Sequence, residues 1–586
     1  MSYTDVSRRR VASAQEPKDR RGFALEATLL MLVLLGALVG VATAAAAVYT
    51  RTSGVDVRAT RVAYAAEGAG DQVMSQLDAA MSDGVITPGD ITSIATPVIS
   101  GFTFTQSTNI VGATTSRIIT RGAFAGLYAL EQPMRVRIDA ADANNNRAAV
   151  ELGVSVQAVP IFQFGVFYDR DLEINNGPPM TFIGWVHSNR NLYLSSANAN
   201  YMNQLTAADS VFWSRKDVAT RLNGVNIANN ASTLVQLDFD SRSHAGATFV
   251  ARSNLRFNGK LMSRVGGVRP LKLPLPAAMD PRELILPAAG SDTPDIAAVR
   301  MANKADLRVV VNLAAGITNA NLCTVATFIR TPGRTPLGPS CGAVFQFAAD
   351  AFLDGREQLR PDVLELDMAA LRTFVNANAA DRQVSIVYVE FQGRNPAIPG
   401  RDYPALRIRN GHTLPDASVP GEPGGMTIVT NAHMYVRGNY NTVTWKPAAL
   451  IADVATFISE SWPDAAAPNR AVTSGAMSVF AALLAGNSET PCDVRVCGGT
   501  PPYGGGLENF PRFIENWGGV PFNYTGSLVS LFLSAQSGRL WNNGINYYSP
   551  PIRNWSFDTR FRNPMLLPPG TPRLGSVLQI SYRNVF

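Results

Sequence analysis

The residues able to do chemistry are few and scattered. Four Cys and four His occur in 586 residues. The cysteines form two local pairs, Cys323/Cys341 and Cys492/Cys497, both in Gly/Pro-rich stretches. Neither pair contains the Cys-x-x-Cys step of a zinc site, so oxidised disulfides closing short loops are expected. His187, His244, His412 and His433 are each isolated, and the first three sit beside Ser or Gly, as corner residues do. No metal-ligand set is expected from them. Asp169, Asp171 and Glu173 alternate, which puts three carboxylates on one strand face. A converging carboxylate pair would suit a glycan lyase or hydrolase. A Ca²⁺ loop would need a Gly at the bend and a Glu at its twelfth place, and both are missing. A turn and a hairpin explain the run more simply. No Gly-x-Ser-x-Gly, His-Glu-x-x-His or Gly-Lys-Ser/Thr phosphate loop occurs. Gly68-Ala-Gly70 lacks a third glycine and a preceding strand, so it is no dinucleotide site. No cofactor and no catalysis are expected.

Composition says what must position these residues. The length suits about two to four domains at ~150 residues each. Charged residues make up 16%, apolar ones 46%, with 48 Gly and 37 Pro. This excludes a charge-rich disordered chain and a coiled-coil rod, and suits a turn-rich, mainly β protein. Half of the net charge of +6 lies in residues 1–22, which hold six basic and three acidic residues. The remainder is nearly neutral, and nothing in it demands nucleic acid.

From Ala27 to Thr50 no residue is charged, and Leu29–Leu35 is a continuous apolar run. As a helix these 24 residues span roughly 36 Å, enough for the ~30 Å hydrocarbon core of a bilayer. The stretch is longer than a secretory signal core, although the small residues at 42–47 imitate a cleavage site. Basic residues precede it, so the N-terminus should stay in the cytoplasm. The helical pattern then continues. Val62, Ala66, Ala69, Val73, Leu77 and Met81 recur at three- and four-residue steps, and no Pro interrupts residues 18–87. One helix is expected from about 24 to 83.

Arg20-Arg21-Gly22-Phe23-Ala24-Leu25-Glu26 resembles the type III signal of type IV prepilins. Arg61-Val-Ala-Tyr-Ala-Ala-Glu67-Gly-Ala-Gly70 looks like the Ala-Glu-Ala-Gly box of PilX-like minor pilins. The resemblance implies a leader, residues 1–22, removed between Gly22 and Phe23 by a membrane aspartyl peptidase, and N-methylation of Phe23. It also implies that Glu26 takes part in helix assembly. One departure is clear: pilins usually carry Glu at the fifth mature position, which is Ala27 here, whereas Glu26 is the fourth. That weakens a major-pilin reading more than a minor-pilin one. Val159–Asp169, Gly184-x-Val-His-Ser-Asn189 and Trp555-Ser-Phe-Asp558 extend the similarity to large PilX-type exported proteins, some of which insert a β-solenoid in the pilin head.

The expected fold class is α+β: a long N-terminal helix on a β-rich, pilin-like head, with a large mainly-β domain. Helix 23–83 is followed by a pilin-like β region at 84–160. There Met134–Asp139 alternates cleanly and Asp142–Arg147 makes the turn of a hairpin over 134–159. Across 161–499, short strand-like runs recur around Gly, Asn and Asp corners, as in Met180–Leu194 and Gly425–Gly438. Both a β-solenoid with insertions and a two-sheet sandwich with long loops fit this pattern. Leu359–Asn376, with Leu364, Leu366, Met368, Leu371 and Phe374, is expected to hold one helix. The segment 500–586 is aromatic-rich and is expected to pack on the β domain, with a short helix over Asn509–Trp517. Trp517, Trp541, Tyr547, Tyr548 and Trp555 are candidates for a surface patch that stacks on sugars or DNA bases; plain packing is the alternative.

The function expected is structural: a minor pilin or pseudopilin near a filament tip, with prepilin peptidase, other pilin subunits and the inner membrane as partners. A tip adhesin or DNA-uptake subunit, with a glycan or DNA ligand, is the second reading. A membrane-anchored glycan-active enzyme is the third. The expected location is the inner membrane, single-pass, and then a cell-surface pilus.

Overall fold

The structure, a computed structural model, describes residues 23–81, 86–120, 122–229, 233–276, 279–332, 334–377, 384–393, 403–416, 424–465, 467–539 and 547–585. It is an α+β chain whose long apolar N-terminal helix leads into a large β-rich region.

Helix α1 runs unbroken from Phe23 to Ala80, three residues short of the expected end. Its two halves differ in what they touch. Val62, Ala66, Ala69, Val73 and Leu77 have no solvent exposure. They pack on an antiparallel sheet of β1 (Phe102–Ile110), β2 (Thr115–Ile118), β3 (Tyr128–Asp142) and β4 (Arg147–Pro160). Met134, Val136, Ile138 and Ala140 of β3 face the helix, and Arg135 and Arg137 face away, as the alternation requires. The small residues of the Ala-Glu-Ala-Gly-like box let the helix press close. A Cβ on Gly70 would meet Leu152 Cδ1 at 3.2 Å. Asp142 turns β3 into β4 by accepting from the backbone N–H of Asn144 and of Asn146, each at 2.9 Å.

The last strand of the sheet comes from the far end of the chain. Arg573–Val585 pairs antiparallel with β4, from Arg573 opposite Pro160 to Val585 opposite Ala149. Residues 161–572 are therefore an insertion whose two ends lie side by side in the head sheet. This corrects the expectation that all of 500–586 packs on the β domain.

Within the insertion, strands stack in parallel along three walls. The longest wall is centred on Phe164–Tyr168. On one side follow Trp185–Ser188, Leu205–Ala207 and Leu261–Met262. On the other side lie Leu528–Ser530, Ala482–Ala485, Ala448–Ala452, Met426–Thr430, Ile386–Gln392 and Leu307–Asn312. The chain thus enters in the middle and climbs to one end. It returns along the outside through residues 263–306 and climbs again from the opposite end until it meets its own start. Most of these strands are buried on every residue rather than on alternate ones. The returning segment explains why: Val268, Leu271, Leu284, Ile285 and Met301 cover the outer face of this wall, so both faces are buried.

The second wall carries Leu172–Ile174, Leu192–Leu194 and Val211–Phe212, and further along Asp362–Asp367, Pro404–Arg409, His433–Arg437, Val454–Ile458 and Arg512–Phe513. Leu364 and Leu366 thus lie on a strand, and only Met368–Ala377 is helical. The expected helix at Asn509–Trp517 is also replaced: Gly506–Asn509 is a single 3₁₀ turn and Arg512–Phe513 is a strand. Antiparallel strands close the stack at Leu234–Gln236, Thr327–Arg330 and Phe345–Ala348. Asn supplies five of the eight described non-glycine residues with positive φ (Asn145, Asn258, Asn410, Asn441 and Asn469), as the corner pattern anticipates.

Some corners admit no side chain. A Cβ on Gly526 would lie 1.9 Å from the Ala481 carbonyl oxygen, whereas one on Gly499 would touch nothing within 4 Å. The clash is with backbone, which cannot swing aside. Gly526→Ala is expected to destabilise the full chain by about 1–3 kcal/mol in chemical denaturation, and Gly499→Ala to leave the midpoint unchanged.

Candidate functional site

The first half of α1 is the most distinctive surface. Its most apolar window has a mean hydropathy of 2.5 with nothing buried, and it is the one helix among the described residues long and apolar enough to cross a membrane. Leu29, Leu30, Met31, Leu32, Val33, Leu34 and Leu35 are all exposed. Its threonine side chains bond to the helix's own backbone. The hydroxyls of Thr28, Thr43, Thr50 and Thr52 donate to carbonyls one turn back, at 2.8–3.0 Å, so these four present no unmet donor to an apolar medium. Glu26 is exposed in the first turn, where the helix dipole favours an acid. Phe23 opens the helix, and Gly22 lies outside the described residues. Gly36 and Gly40 have no neighbour within 4 Å of a Cβ position. Their four-residue spacing leaves a flat notch of the kind that lets apolar helices approach closely. That spacing was readable in the sequence.

The three acidic candidates do not converge. Asp169 and Asp171 lie at a corner between parallel strands, not in a hairpin, and each is tied to the next turn of the stack. Asn189 Nδ2 donates to Asp169 at 2.7 Å, and the backbone N–H of Asn191 donates to Asp171 at 3.0 Å. Lys216 Nζ lies 2.9 Å from the other Asp171 oxygen. Burial raises the Asp169 carboxyl above its ordinary value, and the Asn189 bond opposes it. Glu173 points into the interior and is 3% exposed.

The histidines divide. His187 lies on a wall strand rather than at a corner, between Thr206 Oγ1 at 2.8 Å and Asn189 Oδ1 at 2.9 Å. Burial pulls it down to about 4, so it stays neutral. His433 is likewise interior, between Tyr403 Oη and Thr456 Oγ1, and burial followed by the nearby Arg512 and Arg356 holds it well below its usual range. His244 packs on Phe239. His412 alone lines a polar groove of 380 Å³, with Asn410, Asn439, Glu460 and Ser474.

The aromatic candidates form no platform. Trp517 is 0% exposed and Tyr547 is 3% exposed. Tyr548 and Trp555 are half-buried against the main core. Trp541 lies outside the described residues.

Both cysteine pairs are bonded, Cys323 to Cys341 and Cys492 to Cys497. The first joins two short helices beside the antiparallel strands that close one end of the stack. The second lies in a strap, residues 488–509, laid across the place where the late turns meet the early ones. Glu489 pairs with Arg170 at 2.5 Å, Asp493 with Arg242 at 2.5 Å, and the Thr490 carbonyl accepts from Lys216 Nζ at 2.5 Å.

Two acids are buried where the strap meets the early turns, Glu508 at its end and Glu173 under it. Glu508 accepts from the Asn175 backbone N–H at 3.0 Å, and its second oxygen has no partner. Glu173 likewise leaves one oxygen unmet. Burial raises both carboxyls to about 7; Arg553 opposes the shift at Glu508, and Thr490 then Lys216 oppose it at Glu173. Glu508 was not legible in the sequence, because its neighbour Asn175 is 333 residues away. Comparison with protein-family models, curated proteins and solved structures finds no match to this chain.

The sign of the pH effect follows from these shifts. The folded state holds a proton that an unfolded carboxyl releases near 4.5, so the stabilisation is full below that pH and is lost as pH rises through about 7. Glu508→Gln keeps the acceptor for Asn175 and removes the titration. Its stability change between pH 5 and pH 8, by chemical denaturation, is expected to differ from that of the parent chain by about 2–3 kcal/mol.

Proposed function

We propose that this chain is a minor pilin or pseudopilin: a structural subunit anchored by α1 in the inner membrane, N-terminus in the cytoplasm, and assembled through that helix into a type IV pilus or related filament. In this reading the insertion is a β-solenoid displayed at or near the tip, since a bulk of some 400 residues at every step would crowd a shaft. Its partners are the prepilin peptidase and other pilin subunits. The observation that carries the reading is the division of α1. One unbroken helix has an apolar half that nothing covers and a second half that packs on an antiparallel sheet closed by the chain's last strand. An uncovered apolar helix half calls for lipid or for the same half of neighbouring helices. The leader-like Arg20-Arg21-Gly22-Phe23 junction supplies the route from one to the other.

A tip adhesin is the second reading, favoured by the polar groove at Asn410, His412, Asn439, Glu460 and Ser474, whose donors and acceptors suit sugar hydroxyls. Catalysis is not part of the proposal, because Asp169 and Asp171 are engaged at corners and Glu173 points inward.

The test is the mature N-terminus, read by mass spectrometry on protein from membranes with and without the prepilin peptidase. A start at N-methyl-Phe23 that disappears without the peptidase is expected. An intact Met1, or a cut near residues 44–47, would overturn the pilin reading and leave a signal-anchored or secreted β protein.

A further inference from the structure

Where the insertion joins the head sheet, a groove opens that the proposed function does not use. One part is a cavity of 190 Å³ lined by Leu130, Leu273, Ala298 and Val299, with Lys304 and Arg573 beside them. A second cavity of 270 Å³ continues past Arg573 toward Tyr128 and Leu567, and shares Leu130 and Thr571 with the first. The first part alone has space for on the order of ten waters, and one side of it is aliphatic. Leu130 is half-buried, and Leu273 and Val299 keep a little exposed surface, 7% and 4%. The aliphatic side of the wall gives water few partners and suits an apolar stem, while Thr571, Lys304 and Arg573 make the other side polar.

The rim is positive and uncompensated. Among the described residues neither Lys304 nor Arg573 has an ion-pair partner, and no carboxylate lines either cavity. Other cations at the same joint are matched: Arg300 lies between Glu283 at 2.6 Å and Asp292 at 3.3 Å, and Arg308 meets Glu390 at 2.6 Å. Lys304 and Arg573 are both exposed to solvent; partial burial, and then the Arg573 charge, pull the Lys304 ammonium below its ordinary value. Two like charges held beside an apolar cavity would both be relieved by one anion.

We propose that this groove is a binding site for an acyl carboxylate, a monoanion on an apolar stem, with the carboxylate between Lys304 and Arg573 and the stem along Leu130, Leu273 and Val299. The site draws on both parts of the fold. Arg573 begins the last strand of the head, Leu130 belongs to β3, and Lys304 ends the segment that returns along the outside of the stack. An occupant would therefore bridge the head and the insertion.

The test uses the full chain in lipid nanodiscs and hexanoate, which is short enough to stay out of micelles, read by saturation-transfer NMR and calorimetry against empty nanodiscs. Saturable hexanoate binding is expected, with hexylammonium and acetate at least tenfold weaker. Lys304→Met with Arg573→Met is expected to weaken it at least tenfold. Ala298→Phe, at an exposed lining position, is expected to do the same by filling the groove while leaving the melting temperature unchanged. Equal binding of hexan-1-ol would overturn the role of the two cations. Binding that survives Ala298→Phe would place the ligand elsewhere. Binding of an apolar peptide's C-terminal carboxylate without hexanoate binding would refute the acyl assignment in favour of a protein partner.

Discussion

The insertion depends on one short ladder. Leu528–Ser530 pairs in parallel with Val166–Tyr168, and this joins the last-made turns of the stack to the first. Without it, Phe164–Tyr168 would be an open edge in the middle of the longest wall. The other walls are held less tightly at the same level. On the second wall the 3₁₀ turn at Gly506–Asn509, not a strand, lies against Leu172–Ile174. The third wall carries Met180–Phe182, Ser196–Tyr201 and Asn223–Ala228 in one run and Met477–Phe480, Pro521–Gly526 and Ile552–Phe557 in another, and Ile552–Phe557 lies beside Met180–Phe182 without a hydrogen-bonded ladder between them. The strap with its disulfide, and the ion pairs of Arg170, Lys216 and Arg242, reinforce the place where regular pairing is thinnest. The polar groups buried there are costly to desolvate. They lie where the chain forms no continuous ladder to bury instead.

The head and the insertion were legible to different depths, for physical reasons. Helix α1 was readable because an uncharged run of 24 residues and a three-and-four-residue apolar step leave little else to form. The β3–β4 hairpin was readable because Met134–Asp139 alternates and Asp142–Arg147 carries turn chemistry. The Asn corners were also visible, since few other residues accept positive φ. The route of the chain was not. Nothing local says that Arg573–Val585 belongs with β4, more than 400 residues earlier, or that residues 263–306 run back along the whole wall. Leu364 and Leu366 read as a helix because a buried strand covered on both faces loses its period of two.

The same covering misleads any search for a site from composition. Trp517, Tyr547 and Trp555 looked like a ligand surface because aromatic residues cluster late in the chain. They cluster there because the late turns supply much of the interior. Asp169 and Asp171 looked like a carboxylate pair because acids alternate along the run. They alternate because each corner must tie to the corner above it, and Asn189 and Asn191 are the partners. Residue type was visible in both cases, and direction was not.

The winding order also has a consequence in time. Strand Phe164–Tyr168 is synthesised roughly 360 residues before its partner Leu528–Ser530. At the pace of a ribosome that delay is on the order of tens of seconds. Throughout it, one side of the early half is an unpaired, apolar strand edge of the kind that recruits foreign strands. The other end of that half is already closed by Leu234–Gln236 and the helix Ala247–Phe257. The growing chain therefore has a single sticky face, and how long it stays bare is set by translation rather than by the folded state.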